Sequence, residues 1–257
     1  MGVVNITPDS FSDGGNYFAP QKATQRCLDL FEMGADVVDL GAESSRPGAD
    51  GLDFETEWLR LGPVLEKLSE LQLCQRVSID TRHDTTMLKA LQYNVGWINN
   101  IEGIAKEGTM LQLAKKKDLK YVAMHMHRSP TTMQAEPLLG LNAVEEVTRK
   151  LKHYHSKLTN MGFAHDRIYL DPGIGFGKDD SANLQLLKLS AQLSKEFQML
   201  VGVSRKSFIG RALKIENPID RDGPSKMLEL GLAINGIQAI RTHQVDVLSS
   251  LLSSANL

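Results

Sequence analysis

Short runs of apolar and β-branched residues recur along the chain. They are separated by longer stretches in which apolar side chains return every three to four positions. The short runs fall near 2–6 (GVVNI), 36–41 (DVVDLG), 76–80 (RVSID), 97–101 (WINNI), 120–125 (KYVAMH), 167–171 (RIYLD), 199–203 (MLVGV) and 238–242 (QAIRT). They are mostly apolar and do not alternate, as in parallel strands buried on both faces. Helical spacing fills 85–93, 109–117, 143–161 and 184–195, with Asp84 and Asn183 as expected N-caps. Eight strand–helix units without a linker or internal repeat predict an α/β chain, a single (β/α)8 barrel spanning 1–257. Two connections are long and rich in Gly, Pro, Ser and Asp, at 7–20 and 42–55. They are expected to be mobile, solvent-facing and used in substrate handling.

Composition narrows the function classes. A net charge of −2 is wrong for a protein that neutralises many phosphates, so nucleic-acid binding is not expected. No run reaches the roughly 18 apolar residues of a membrane span, and no charged-then-apolar export signal opens the chain. Cys27 and Cys74 sit outside any CxxC pair and read as buried thiols in a reducing compartment. A soluble cytoplasmic protein is the expectation.

A barrel of this kind gathers the carboxyl ends of its strands at one mouth. The predicted endings are Asn5; Gly41 leading to Glu43, Ser45 and Arg46; Asp80; Asn99 with Asn100; His125 with Met126; Asp171; Ser204, Arg205 and Lys206; and Arg241 with His243. A polar group at every ending reads as a site. Asp80 and Asp171 are shielded carboxylates that need hydrogen-bond donors, and a heterocycle with adjacent N–H groups supplies them. Arg241, His243, Lys206 and Arg46 form a cationic set suited to phosphate oxygens. Together they describe a heterocycle carrying a phosphate ester.

Three motifs carry less. GIGFGK at 173–178 lacks both the GxxxxGK[ST] and the GxGxxG spacing, so it reads as a glycine-rich loop with Phe176 covering a ligand. Lys178 falls past the apex of that loop, and its replacement is expected to have little effect. His125 and His127 form an HxH pair without a committed third ligand, and Trp97 and the methionines read as packing.

Seven segments, in order, resemble the dihydropteroate synthase family: MGVVNITPDSFSDGG, DLGAESSRPGA, SIDT, MHMHRSPTTMQ, LDPGIGFGK, GVSRKSFIG and IRTH. The similarity runs almost from end to end. It implies condensation of 6-hydroxymethyl-7,8-dihydropterin diphosphate with p-aminobenzoate to give dihydropteroate and diphosphate. It further implies that Asp80, Asn99, Asp171 and Lys206 hold the pterin, with Met126 and Phe176 lining its pocket. Asn5 would ligate Mg2+, and Ser45, Arg241 and His243 would bind diphosphate oxygens. Phe11, Pro47 and Ser207 would shape the p-aminobenzoate site, while Asp13, Arg46 and Lys206 act in catalysis. A homodimer and sensitivity to sulfonamides are typical of the family.

Chemistry agrees with that implication. Diphosphate leaves readily once cations neutralise its growing charge. The methylene then gains cationic character, which Asp13 on a closing loop would stabilise, and closure excludes competing water. The aromatic amine is already nucleophilic, so no strong base is required. The chain departs from the family pattern at Ala42 (more often Gly), Ser45 (Thr), Asn100 and Gln244 (both Asp), and in the bulky segment 224–231. Two other readings stay open: a pterin-binding methyltransferase domain, opposed by the diphosphate-type cations, and a non-catalytic paralogue, favoured only by those departures.

Overall fold

The strands form one parallel sheet in sequential order: β1 (Gly2–Asn5), β2 (Val38–Gly41), β3 (Val77–Asp80), β4 (Trp97–Asn100), β5 (Lys120–Met124), β6 (Ile168–Asp171), β7 (Gln198–Gly202) and β8 (Ala239–Arg241). The ring closes where Gly2 bridges Thr242 and the Val3 N–H donates to the Thr242 carbonyl at 3.1 Å. The computed structural model describes residues 1–7, 19–43, 51–128, 132 and 137–255. Around the strands lie α1 (Ala19–Glu32), α2 (Phe54–Glu70), α3 (Asp84–Ala90), α4 (Glu107–Ala114), α5 (Gly140–Asn160), α6 (Asp180–Leu193), α7 (Ser207–Leu213), α8 (Asp222–Ile234) and α9 (Val245–Ser254). This is the expected (β/α)8 barrel. No helix among the described residues is long and apolar enough to cross a membrane.

Both expected caps are corrected. α3 starts at Asp84 itself, and that carboxylate accepts the Lys106 N–H at 3.1 Å. α6 begins earlier than its apolar spacing suggests, because its first turn is polar. Asp179 caps it by accepting the Ala182 N–H at 2.6 Å. Asn183 lies inside the helix and reaches back to accept the Gly175 N–H at 2.7 Å.

The pleat sorts strand residues into two environments. Outward side chains such as Leu40, Ile79, Ile98, Tyr121 and Leu170 are fully buried with helix residues such as Leu61, Met87, Met110 and Leu186. Trp97, Val122, Tyr169 and Leu200 form a separate apolar cluster within the ring, joined by Val37 and Ala239. The Trp97 and Tyr169 rings lie 4.5 Å apart. Two positions further along the same strands, on the same face, stand Asp39, Asn99, Asp171 and Arg241. An aromatic floor at the amino end thus carries a charged layer at the carboxyl end.

Gly96, just before β4, is pressed against the preceding unit: its N–H donates to the Cys74 carbonyl at 3.1 Å. A methyl there would overlap the Gln75 carbonyl oxygen, which is backbone and cannot swing aside. Gly96→Ala is therefore expected to lower stability by about 1–3 kcal/mol, the usual range for overpacking. Urea unfolding measures it, and an unchanged midpoint would show that this approach is soft.

Candidate active site

Arg241 projects from β8 across the mouth of the barrel. Its Nε donates to Asp39 Oδ2 at 2.6 Å and its Nη2 donates to Asp80 Oδ2 at 3.0 Å. Asn99 Nδ2 donates to the same Asp39 oxygen at 3.1 Å. Asp39 is completely buried, and the sequence reading passed over it. Its signal was there, a carboxylate in the middle of the apolar run DVVDLG. Asp39 Oδ1 and Asn99 Oδ1 are buried acceptors with no partner among the described residues. Burial, followed by the Asp39 charge, pushes the Asp80 pKa up to about 7 against the pull of Arg241. Burial also raises that of Asp171, opposed by Lys206 and by the Gly173 N–H, which donates to Asp171 Oδ1 at 2.7 Å.

The loop after β6 brings the next groups. Gly173 (φ 64°) and Gly175 (φ 83°) take left-handed backbone that other residues resist. A side chain at Gly173 would strike the His125 carbonyl oxygen, so the loop can lie on the end of β5 only because that position is glycine. Lys178 corrects the sequence reading. It is 2% exposed, and its ammonium donates to the carbonyls of His125 (3.1 Å), Gly173 (2.8 Å) and Phe176 (2.8 Å). It follows the apex, but as a buried pin that gathers three carbonyl oxygens around it, a role the sequence reading did not give it. Burial lowers its pKa to about 7, resisted by the Asp171 charge.

Lys206 caps the start of α7, donates to the Ile174 carbonyl and lies 4.7 Å from the Phe176 ring centroid. Burial lowers its pKa to about 8, so it stays largely charged at neutral pH. Phe176 and Met126 are half-buried, while Ser207 and Asn5 are exposed at the ends of their elements. His243 directs Nδ1 to Ser204 Oγ at 3.0 Å. Burial, reinforced by Arg241, lowers its pKa to about 4. His243 is therefore neutral at pH 7, which corrects its place among the cations: it has an N–H to offer, not a charge. Phe11, Asp13, Ser45, Arg46 and Pro47 lie outside the described residues.

Supporting contacts account for most of the departures. Ala42 is buried without a positive φ, and its carbonyl accepts from Arg60 at 2.8 Å, so its methyl is accommodated. Asn100 donates to the Tyr121 hydroxyl at 3.0 Å and accepts the Glu102 N–H at 2.9 Å. Gln244 donates to Asp222 at 2.7 Å. In segment 224–231, Lys226 is buried on Glu229 (2.7 Å) and Thr242 (2.6 Å), so its bulk serves a polar cluster against β8. On the other side of the mouth, Glu57 is fully buried, accepts from Thr81 at 2.9 Å and from Thr86, and steadies the turn after Asp80. Arg82 donates to Glu43 at 3.0 and 3.1 Å, joining the ends of β2 and β3. No group of three or more His, Cys, Asp or Glu able to hold a metal occurs among the described residues. His125 is instead buried, with Nε2 3.8 Å from Glu146 Oε1.

Comparison with known proteins gives one direction. A family model described as pterin binding enzyme matches residues 1–243. The chain is 39% identical over 251 residues to a dihydropteroate synthase of Neisseria meningitidis serogroup B, covering 95% of this chain and 87% of that one. It is 34% identical over 246 residues to the Escherichia coli K12 dihydropteroate synthase, covering 95% and 86%. Among solved structures, Xanthomonas albilineans dihydropteroate synthase with 4-aminobenzoic acid superposes with a TM-score of 0.89 at 34% identity, covering 100% of this chain and 91% of that one.

The carbonyl cage yields a stability prediction. Lys178→Met keeps the stem but leaves the buried His125 carbonyl without a donor, at about 1–3 kcal/mol, and takes one of two donors from the Gly173 and Phe176 carbonyls, which keep the Phe176 and His127 N–H groups; removing a buried charge partly offsets this. Unfolding free energy is expected to fall by roughly 2 kcal/mol or more. A change under about 0.5 kcal/mol, typical of a surface substitution, would show that the loop does not depend on the ammonium.

Proposed function

The chain belongs to the dihydropteroate synthases, within the family of pterin-binding enzymes, and on that footing we propose how its residues divide the work. It condenses 6-hydroxymethyl-7,8-dihydropterin diphosphate with p-aminobenzoate to dihydropteroate and diphosphate. One observation carries the division: the mouth holds a charged layer in which Asp80 and Asp171 have raised pKa values beside Asn99 and Lys206. Such carboxylates favour a ligand edge that brings N–H donors without bringing charge.

The pterin lies against Asp80, Asn99, Asp171 and Lys206, with Met126 and Phe176 on its faces. Arg241, already shared by Asp39 and Asp80, touches the anion only at its outer edge. His243 gives the diphosphate an N–H, and Ser45 a hydroxyl. Phe11, Pro47 and Ser207 enclose p-aminobenzoate. Asp13 stabilises the methylene as it becomes cationic, and Arg46 and Lys206 balance charge on the departing group. Solved dihydropteroate synthases of Xanthomonas albilineans hold 4-aminobenzoic acid and 7,8-dihydropteroate, which supports the choice of substrates.

Asn5 fits Mg2+: its exposed amide oxygen is a hard, neutral donor, and Mg2+ is commonly held by few protein oxygens beside substrate phosphates and water. The ion, when bound, neutralises charge on the leaving diphosphate. A homodimer is the proposed assembly. α8 exposes Met227 and Ile234 two turns apart, at 79% and 62%, and a second copy would cover them. The two cysteines are free and buried, which suits a reducing compartment, and we place the protein in the cytoplasm.

Turnover is the primary test. Diphosphate release is expected when the pterin diphosphate, p-aminobenzoate and Mg2+ are supplied together; tight pterin binding without release would overturn the reading. A second test uses pH. Because Asp80 keeps its proton up to about pH 7, an N–H-donating ligand must drive that proton off below this value. Affinity for 6-hydroxymethylpterin should therefore rise between pH 6 and 7, by at most about tenfold per unit, and level off above. Calorimetry measures the profile; Asp80→Asn should weaken binding and flatten it, and a flat wild-type profile would remove Asp80 from the pterin edge.

A further inference from the structure

We propose that Asp222, in the first turn of α8, is a positioning residue that aims Lys206 by way of Arg205. The proposal rests on the reading of Lys206 as a pterin contact. Arg205 is one of few non-glycine residues among those described with a left-handed backbone, at φ 60°. Such a conformation is disfavoured for any residue with a Cβ and persists only where its surroundings hold it. Arg205 is held at three points, all from residues 221–225. Its guanidinium donates to both Asp222 oxygens, at 2.7 and 2.8 Å. Its N–H donates to Ser225 Oγ at 3.0 Å, and its carbonyl accepts from Arg221 Nη1 at 3.1 Å.

Lys206 is the next residue. Its direction into the mouth, toward the Ile174 carbonyl and the Phe176 ring, follows from the turn that Arg205 makes. Asp222 also receives the Gln244 amide at 2.7 Å, directly after His243. One carboxylate therefore ties the segment after β7 to the segment after β8. The pair is half-buried, with side chains 29% and 13% exposed, so it escapes the full solvent screening of a surface ion pair. α8 has other anchors, including buried Ser225, Lys226, Glu229 and Leu232, so loss of Asp222 should loosen the turn and leave the helix in place.

The experiment is a double-mutant cycle. Asp222→Asn is made in the wild type and in Lys206→Ala, and kcat/KM for the pterin diphosphate and the dissociation constant of 6-hydroxymethylpterin are measured. A tenfold or greater loss is expected in the wild type and less than twofold in the Lys206→Ala background. Equal losses in both backgrounds, or no loss in the wild type, would overturn the proposal. A rescue separates positioning from folding: Asp222→Asn with Gln244→Glu moves the carboxylate across one hydrogen bond and should recover at least threefold. If Asp222→Asn does not fold, Arg205→Lys, which loses the two-point contact to Asp222, enters the cycle in its place, with the same expected and overturning results. A wild-type chain that makes no dihydropteroate would fail the functional reading, and the pterin dissociation constants would still decide the role of Asp222.

Discussion

Arg241 stands between Asp39 and Asp80 on neighbouring strands, and without its guanidinium those two carboxylates would share the barrel interior with no cation between them. Removing a charge from water costs several kcal/mol unless a partner and hydrogen bonds compensate. Here compensation is incomplete because the groups are buried: Asp39, Asp80 and Asp171 face Arg241, Lys206 and Lys178, and desolvation outweighs the pull of those cations on Asp80 and Asp171. That burial, joined at Asp80 by the Asp39 charge, emerges as raised pKa values at Asp80 and Asp171. A ligand edge rich in N–H donors relieves it, and a second anion at the same place would worsen it. The selectivity proposed for the mouth follows from that burial, and the same proposal puts the diphosphate further out.

The aromatic floor makes the imbalance possible. Trp97, Tyr169, Val122 and Leu200 fill the ring from below with an apolar cluster. The strands that carry Asn99, Asp171 and Arg241 are fixed by that packing two residues earlier. A site built on strand ends over a packed floor is preorganised, so little is lost in ordering it when a ligand arrives.

Legibility in the sequence tracked the range of each interaction. Strands read well because both faces are buried and their runs stay apolar. The endings Asp80, Asn99, Asp171 and Lys206 were visible because the fold rule places them together. Asp39 was hidden by its position in mid-strand, where only the unexpected charge marked it. Lys178 was read only as a residue past the loop apex; its cage includes the His125 carbonyl, 53 residues away, and no local pattern encodes that. The link from Asp222 to Gln244 spans 22 residues for the same reason. His243 kept its identity but lost its expected charge, because burial is a property of the packed chain. The residues read for the closing loops lie outside those described.

The glycine loop over the pocket has a consequence for selection. A ligand that gripped the main chain of 173–177 would touch a surface that point mutation can hardly redraw. Any side chain at 173 collides with the end of β5, and one at 175 presses on Lys206, the lysine proposed to hold the pterin. Resistance to a competitive inhibitor usually arises where a contact can be altered while substrate binding survives. Contacts to this backbone give evolution few such exits, so compounds anchored there should keep their potency longer than compounds that reach outward.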